Sequence, residues 1–431
     1  MMFSIVSIDI CGAVISASWG AFCFGYHMAV LNGPLEIISE QMHFNSNSLL
    51  KGFVVSSLLL GALVGSLSAG KYADLYGRRT TLLYNSIILV LGPLGCALAT
   101  SPWILAAWRF ICGCGVGTCS VLVPVFISEM SPDQYKGVFG TFNQLFICIG
   151  IFTALFTSLP LKLSSPYWWR FMFAFAIIPA ALHSAGCWYF STESRTRQSF
   201  HRETEKSFSS SDENLRVPAA DLSIYEALSS PLDRSLILSG CLLFALRQFS
   251  GINMVVFYSS DTFRNAGVEL ELWASAAAAF VHMVGTAISS CLIVRISRKR
   301  LLLGSFTGMG FSMILLVYAF SSHSGISRAA PHLSIFGTFS FIFSFSLGCG
   351  PLPTLLLPEI FPPLLRARGT SLSLATHWAS IFILGLIFLR MVEIIGMSMT
   401  YLFFSIVCFS AVFFIHNDPS FKSLQSDNDA L

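Results

Sequence analysis

The sequence predicts an all-α membrane protein of twelve transmembrane helices in two six-helix, pseudo-symmetric halves. Three observations predict it. Of 431 residues, 54% are hydrophobic and only 11% charged, with a mean hydropathy of +0.71, whereas soluble domains carry about a quarter charged residues. Apolar runs of about twenty residues, the length that crosses a bilayer, recur twelve times. One long polar segment, 191–234, divides those runs six and six.

In chain order the crossings are expected at 8–32, 50–72, 81–100, 103–126, 139–160 and 168–190, then at 235–260, 271–294, 301–321, 333–356, 369–390 and 396–416. The first begins almost at Met1 and runs past Asp9, too long and glycine-rich for the apolar core of a signal peptide. The domain reading is therefore an N-terminal half at 1–190, a cytoplasmic linker at 191–234, a C-terminal half at 235–416 and a short cytoplasmic tail at 417–431. With both termini cytoplasmic, seventeen of the twenty-five Lys and Arg, counting Lys71 at the inner end of the second crossing, fall on the cytoplasmic side, as the positive-inside rule requires.

The composition excludes several classes. A net charge of +3 is too small to imply a nucleic-acid partner. The twelve cysteines lie in apolar segments without zinc-like spacing, so they read as small buried residues and no metal or other cofactor is expected. The soluble parts leave no room for a catalytic domain, so the chain is not expected to be an enzyme. Gly113–Gly117 (GCGVG) lies inside the fourth crossing and reads as helix packing, not as a phosphate cradle. The bilayer is the expected environment, and no obligate protein partner is implied.

The halves echo each other. SEMSPDQYKG at Ser128–Gly137 sets Glu129 seven residues before Lys136, and PEIFPPLLRARG at Pro358–Gly369 sets Glu359 seven before Arg366. The loop DLYGRR, Asp74 to Arg79, has a worn counterpart in VRISRK, Val294 to Lys299. Such repetition marks transporters whose site lies between two repeats. Asp74, Arg78, Arg79, Glu129, Lys136, Glu193, Glu359 and Arg366 are accordingly expected to form charge pairs at the cytoplasmic helix ends, including bridges between the halves that break in each cycle.

The seventh crossing carries Arg247, Gln248, Asn253 and Tyr258 at membrane depth, where lipid offers no hydrogen-bond partner. On a straight helix Asn253 points away from the face shared by Arg247 and Tyr258, and Gly251 is placed to break the helix.

With FGYHMAVLNGP (24–34), DLYGRR, WRF at Arg109, PVFISEMSP (124–132), NQLFICIGI (143–151), RQFSGIN (247–253) and GPLPTLLLPEIF (350–361), the chain resembles a sugar porter of the major facilitator superfamily over nearly its whole length. Within that family it is most similar to plastidic-type glucose transporters and their fungal relatives, with His377 and Trp378 among the shared residues. The resemblance implies the major facilitator fold and transport of a monosaccharide, glucose or another hexose, by alternating access. It assigns substrate contacts to Gln144, Ile147, Gln248, Asn253, Tyr258, His282 and Trp378, with Arg247 counted among the substrate-binding residues as well. Tyr258, with Phe257, stands at an outer-gate position. The chemistry agrees, since Gln and Asn amides can both donate to and accept from sugar hydroxyls.

The chain departs from that pattern at several places. Arg247 replaces a glutamine, His282 an asparagine, Thr354 a tryptophan, and Ser346 an acid common in the tenth crossing. For Arg247 three readings stand open: a hydrated cavity residue bonding sugar oxygens, a cap on the carbonyls of a broken helix, or a cation for an anionic substrate. His27 occupies the place of an aspartate in proton-coupled members, beside Arg109, and makes passive uniport the expectation, with proton symport as the alternative. A transporter of an anionic or non-sugar solute, or a non-transporting sensor or trafficking protein on the same scaffold, are the rival functions. The expected location is the plasma membrane or an internal membrane such as the vacuole.

Overall fold

The computed structural model describes residues 8–131, 136–161, 166–189, 231–293, 295–321 and 329–421. Among them there is no strand; helices cover nearly everything. Ten stretches have the length and hydropathy of a membrane crossing. One of these, 369–417, holds the last two expected crossings, and α1 (Ile8–Ala29) supplies the first.

A short helix α2 (Leu35–Gln41) follows α1, and α3 (Ser48–Tyr76) starts at Asn47, whose side-chain oxygen accepts from the Leu50 amide at 3.0 Å. That bond satisfies one of the free N–H groups at a helix start. Gly77, at φ 83°, turns the chain directly into α4 (Arg78–Leu98). Next come α5 (Pro102–Met130), α6 (Lys136–Leu161) and the pair α7 (Trp168–Phe175) and α8 (Ile177–Tyr189). Small residues set how closely these helices pack, because lipid gives no hydrophobic drive between them. A Cβ on Gly113 of α5 would sit 2.0 Å from the Leu58 carbonyl oxygen of α3. The GCGVG run is thus a helix-packing seam, as expected.

Residues 191–230 of the expected linker lie outside the described residues; beyond them α9 (Pro231–Phe249) and α10 (Ile252–Asn265) form one crossing broken at Gly251, with φ 92° and ψ 5°. This is the break anticipated there. α11 (Glu271–Leu292) and α12 (Arg298–Ala319) are continuous. The next crossing is also broken: α13 (Ala330–Leu347) stops, Gly348–Pro351 is irregular, and α14 (Leu352–Ile360) resumes. Finally α15 (Pro363–Asn417) comprises two helical limbs that meet in a reversal at Gly396, φ 80° and ψ 164°. Its second limb lies antiparallel to α12, since Ser398 bonds the Val317 carbonyl, Ser405 that of Gly310, and Lys299 that of His416.

The two sets of six helices meet tightly at the end opposite the Arg78–Arg79 turn. There the Asn32 amide donates to the Val256 carbonyl at 2.5 Å and to Ser259 at 2.7 Å, and its oxygen accepts from the Ser260 amide at 3.1 Å. Ser48 of α3 bonds Glu393 of α15, and a Cβ on Gly52 would lie 2.5 Å from the Leu386 oxygen. Asn32→Ala removes three bonds of about 1 kcal/mol each. It is expected to loosen this seal and raise labelling of a Ser259→Cys reporter by a membrane-impermeant thiol reagent by about a hundredfold, the equivalent of the three bonds together. Equal labelling in both backgrounds would count against the seal.

Among the described residues no ion pair joins Glu129 to the other half. Glu129 pairs with Arg78, joining α5 to α4 within one half. Arg79 donates to the Trp188 carbonyl of α8 at 3.2 Å. The side chains of Asp74, Lys136, Glu359 and Arg366, and the whole of Glu193, lie outside the described residues.

Candidate functional site

Between the halves lies a cavity of about 1110 Å3. Its lining runs from Gln144 and Trp378 in the middle to Ser128, Gly140, Ser297 and Arg298 at the basic end, so it opens toward that end and is closed by the Asn32 contacts at the other. No Asp or Glu appears among its described lining residues.

The break at Gly251 shapes the polar wall. It turns α10 relative to α9 so that Asn253 donates to the Gln248 side-chain oxygen at 2.6 Å. The Gln248 amide nitrogen in turn meets the His377 ring. Arg247 reaches the second broken crossing: Nε donates to the Cys349 carbonyl at 2.9 Å, a terminal nitrogen to the Gly350 carbonyl at 3.2 Å, and the other to His377 Nδ1 at 3.2 Å. This is the geometry of the carbonyl-capping reading, and it needs no carboxylate. The Phe345 and Phe244 rings lie 5.4 and 5.9 Å from the guanidinium carbon, a cation–π arrangement that further steadies the charge. Arg247 still lines the cavity.

Gln144 and Ile147 face this wall from α6. The Gln144 amide makes only a weak contact to Cys148 at 3.9 Å, leaving it free for a ligand. Two buried ring nitrogens bordering the cavity, Trp378 Nε1 and His282 Nε2, have no protein partner. Phe24 packs on Trp378 with centroids 5.6 Å apart, giving an aromatic floor.

Tyr258 sits apart from the cavity, 1% exposed and stacked on Phe388 at 5.0 Å toward the sealed end. His27 and Arg109 also lie outside the lining, fully buried nearby. Sequence reasoning did not single out His377 as a site residue, although it ties Arg247 to Gln248. Its signals were its place beside Trp378 in an apolar run and its share in the resemblance to plastidic-type glucose transporters. The inter-half contact of Cys148 with Thr286, 3.3 Å, was also unforeseen.

The profile of the family described as "Sugar (and other) transporter" matches residues 13–418. The chain belongs to this family. It is 41% identical over 415 residues to "Plastidic glucose transporter 4" of Arabidopsis thaliana, covering 93% of this chain and 76% of the relative. To "Glucose transporter GlcP" of Staphylococcus epidermidis it is 29% identical, covering 93% and 92%. Among solved structures, the "D-xylose-proton symporter" superposes with a TM-score of 0.80 at 23% identity, over 96% of this chain and 99% of that one. The inward-open form of the E. coli xylose transporter XylE gives 0.77 at 22% identity, over 95% and 96%. At such identities the match establishes the fold of this transporter, the twelve-helix major facilitator architecture expected from the motifs. The protein is an integral multi-pass membrane protein.

Proposed function

We propose that this transporter moves a monosaccharide, glucose or another hexose, down its gradient by alternating access. The observation that carries the reading is the cavity wall: neutral amides at Gln144, Gln248 and Asn253, and unpartnered ring nitrogens on His282 and Trp378, around a space open at one end. Sugar hydroxyls complete these unfilled hydrogen bonds, and Phe24 and Trp378 offer apolar faces to the pyranose. The relatives named as glucose transporters support the same substrate class. No covalent step is involved, so the protein acts as a carrier and not as an enzyme.

The cycle assigns each part a task. With the halves 1–190 and 235–416 moving as bodies, sugar enters from the far side when the Asn32 contacts part. Ile147, His282 and Arg247 bound the occupied site, and Tyr258, packed at the sealed end, closes over it as the outer gate. The breaks at Gly251 and Gly348–Pro351 let α10 and α14 swing while Arg247 keeps the two broken crossings in register. The basic end then closes through the charges about Arg78, Glu129 and their counterparts in the C-terminal half. Both termini lie in the cytoplasm, and the membrane is the plasma membrane or an internal one.

The reading is tested by uptake of labelled glucose into liposomes holding the purified chain. Flux should be saturable, and the final internal concentration should equal the external one with or without a protonophore, as expected for a uniporter with His27 in place of a carboxylate. Uphill accumulation that collapses on adding the protonophore would sink uniport. Uptake of glucuronate without glucose would favour an anionic substrate recognised by Arg247. Gln144→Ala and Gln248→Ala are each expected to raise the glucose KM about tenfold, the effect of one lost hydrogen bond left uncompensated. Unchanged KM in both would take the amides out of the site.

A further inference from the structure

Cys148 on α6 is 0% exposed and stands one turn beyond Gln144. Its sulfur takes part in two hydrogen bonds. The Gln144 amide nitrogen donates to it at 3.9 Å, and on its other side it meets the Thr286 hydroxyl of α11 at 3.3 Å. Gln144 and Thr286 line the cavity, whereas Cys148 does not. The thiol is therefore set behind the polar wall, where it joins an amide of one half to a hydroxyl of the other.

Its position gives that bond leverage. α6 is locked to α1, because a Cβ on Gly25 would collide with the Ile147 carbonyl and one on Gly150 with that of Phe22. Any displacement of the N-terminal half relative to α11 therefore falls on the face that carries Cys148. Toward the sealed end Phe152 of α6 packs on Phe280 of α11, with ring centroids 6.1 Å apart. Toward the basic end Thr141 and Gly140 of α6 border the cavity. The Cys148–Thr286 bond stands where the closed interface gives way to open space.

The Gln144 nitrogen can only donate, so the sulfur accepts there and its own hydrogen is free for the Thr286 oxygen. Hydrogen bonds in a chain polarise one another, so the amide strengthens the bond across the halves. A thiol sulfur is a weak acceptor, whereas a hydroxyl oxygen is a good one. A sugar beside Gln144 thus draws the amide away from the sulfur.

Resting on the reading of this cavity as a sugar site, we propose that Cys148 is a positioning residue that couples sugar binding to the movement of the halves. In the empty carrier it ties the Gln144 amide to Thr286 and restrains the halves at the depth of the site. Bound sugar takes the amide, weakens the tie, and lets the loaded carrier reorient faster than the empty one.

The test compares two rates for the full chain in liposomes. Net efflux of labelled glucose into sugar-free medium requires the empty carrier to return; exchange at equal glucose on both sides does not. Exchange by the unaltered chain should exceed net efflux about fivefold, the effect of one weak hydrogen bond. Cys148→Ala should bring the ratio close to one, and Thr286→Val should do the same from the far end of the bond. Cys148→Ser keeps a donor and an acceptor in place and should retain a ratio of about five or more. A contact that served packing alone would change both rates in parallel and leave their ratio fixed. A ratio of one in the unaltered chain, or an undiminished ratio in both Cys148→Ala and Thr286→Val, would overturn the coupling. Absence of glucose exchange by the unaltered chain would instead overturn the sugar reading beneath it.

Discussion

Arg247→Ala is expected to abolish glucose uptake and to lower the thermal unfolding midpoint in the same preparation. The guanidinium fills the Cys349 and Gly350 carbonyls where α13 stops, and it holds the His377 ring that meets Gln248. Removing it strands two carbonyl groups at membrane depth, where each unfilled group costs about 1–3 kcal/mol or more. The His377 ring loses its anchor as well, so Gln248 is no longer held toward the cavity. Arg247→Lys should rescue little, because one ammonium cannot span both carbonyls and the imidazole as a planar fork does. Arg247→Gln, the side chain usual in similar porters, should restore part of the stability by bonding one carbonyl. These variants separate the readings of this residue. Were Arg247 the cation of an anionic substrate, Arg247→Gln would alter which solutes compete while leaving the unfolding midpoint unchanged. Unfolding midpoints measured by detergent-solubilised fluorescence, beside competition by glucuronate, decide between them.

What was legible in the sequence follows from the reach of each signal. Crossings are one-dimensional: an apolar run of the right length declares itself wherever it lies, so the twelve expected segments are recovered, with Gly396 separating the last two as distinct helices. The break at Gly251 was legible too, because a glycine sat among polar residues that no straight helix could bring together. By contrast, the break at Gly348–Pro351 was read through as part of a single crossing at 333–356. Its purpose appears only when Arg247, about a hundred positions earlier, arrives to fill its carbonyls. His377 was illegible for the same reason: nothing near it in the chain reveals that it faces Arg247 and Gln248. Pairing of charges was the least legible of all. Glu129 meets Arg78 within its own half, a pairing that the seven-residue spacing to Lys136 does not reveal.

Gly251→Val carries the second large effect, and it probes the break directly. Gly251 has φ 92°, a region where a β-branched residue is strained by about 1–3 kcal/mol. Its position is also crowded, since a Cβ would stand 2.6 Å from Cδ2 of Phe404 on the second limb of α15. The chain has two responses. It can keep the break and bear both penalties, or straighten α9 into α10 and escape the strain. Straightening turns Asn253 away from Gln248 and dissolves their 2.6 Å bond, and with it the polar wall. Either way transport should fall to about a tenth or less of the unaltered rate, a barrier change of about 1.4 kcal/mol. The double variant Gly251→Ala, Phe404→Ala sorts out the cause. It relieves the crowding but keeps a side chain at positive φ, so it should recover stability more than glucose affinity if the backbone break is what assembles the site. Full recovery of both would mean that the glycine serves only to make room for Phe404, and that Gln248 and Asn253 can meet on an unbroken helix.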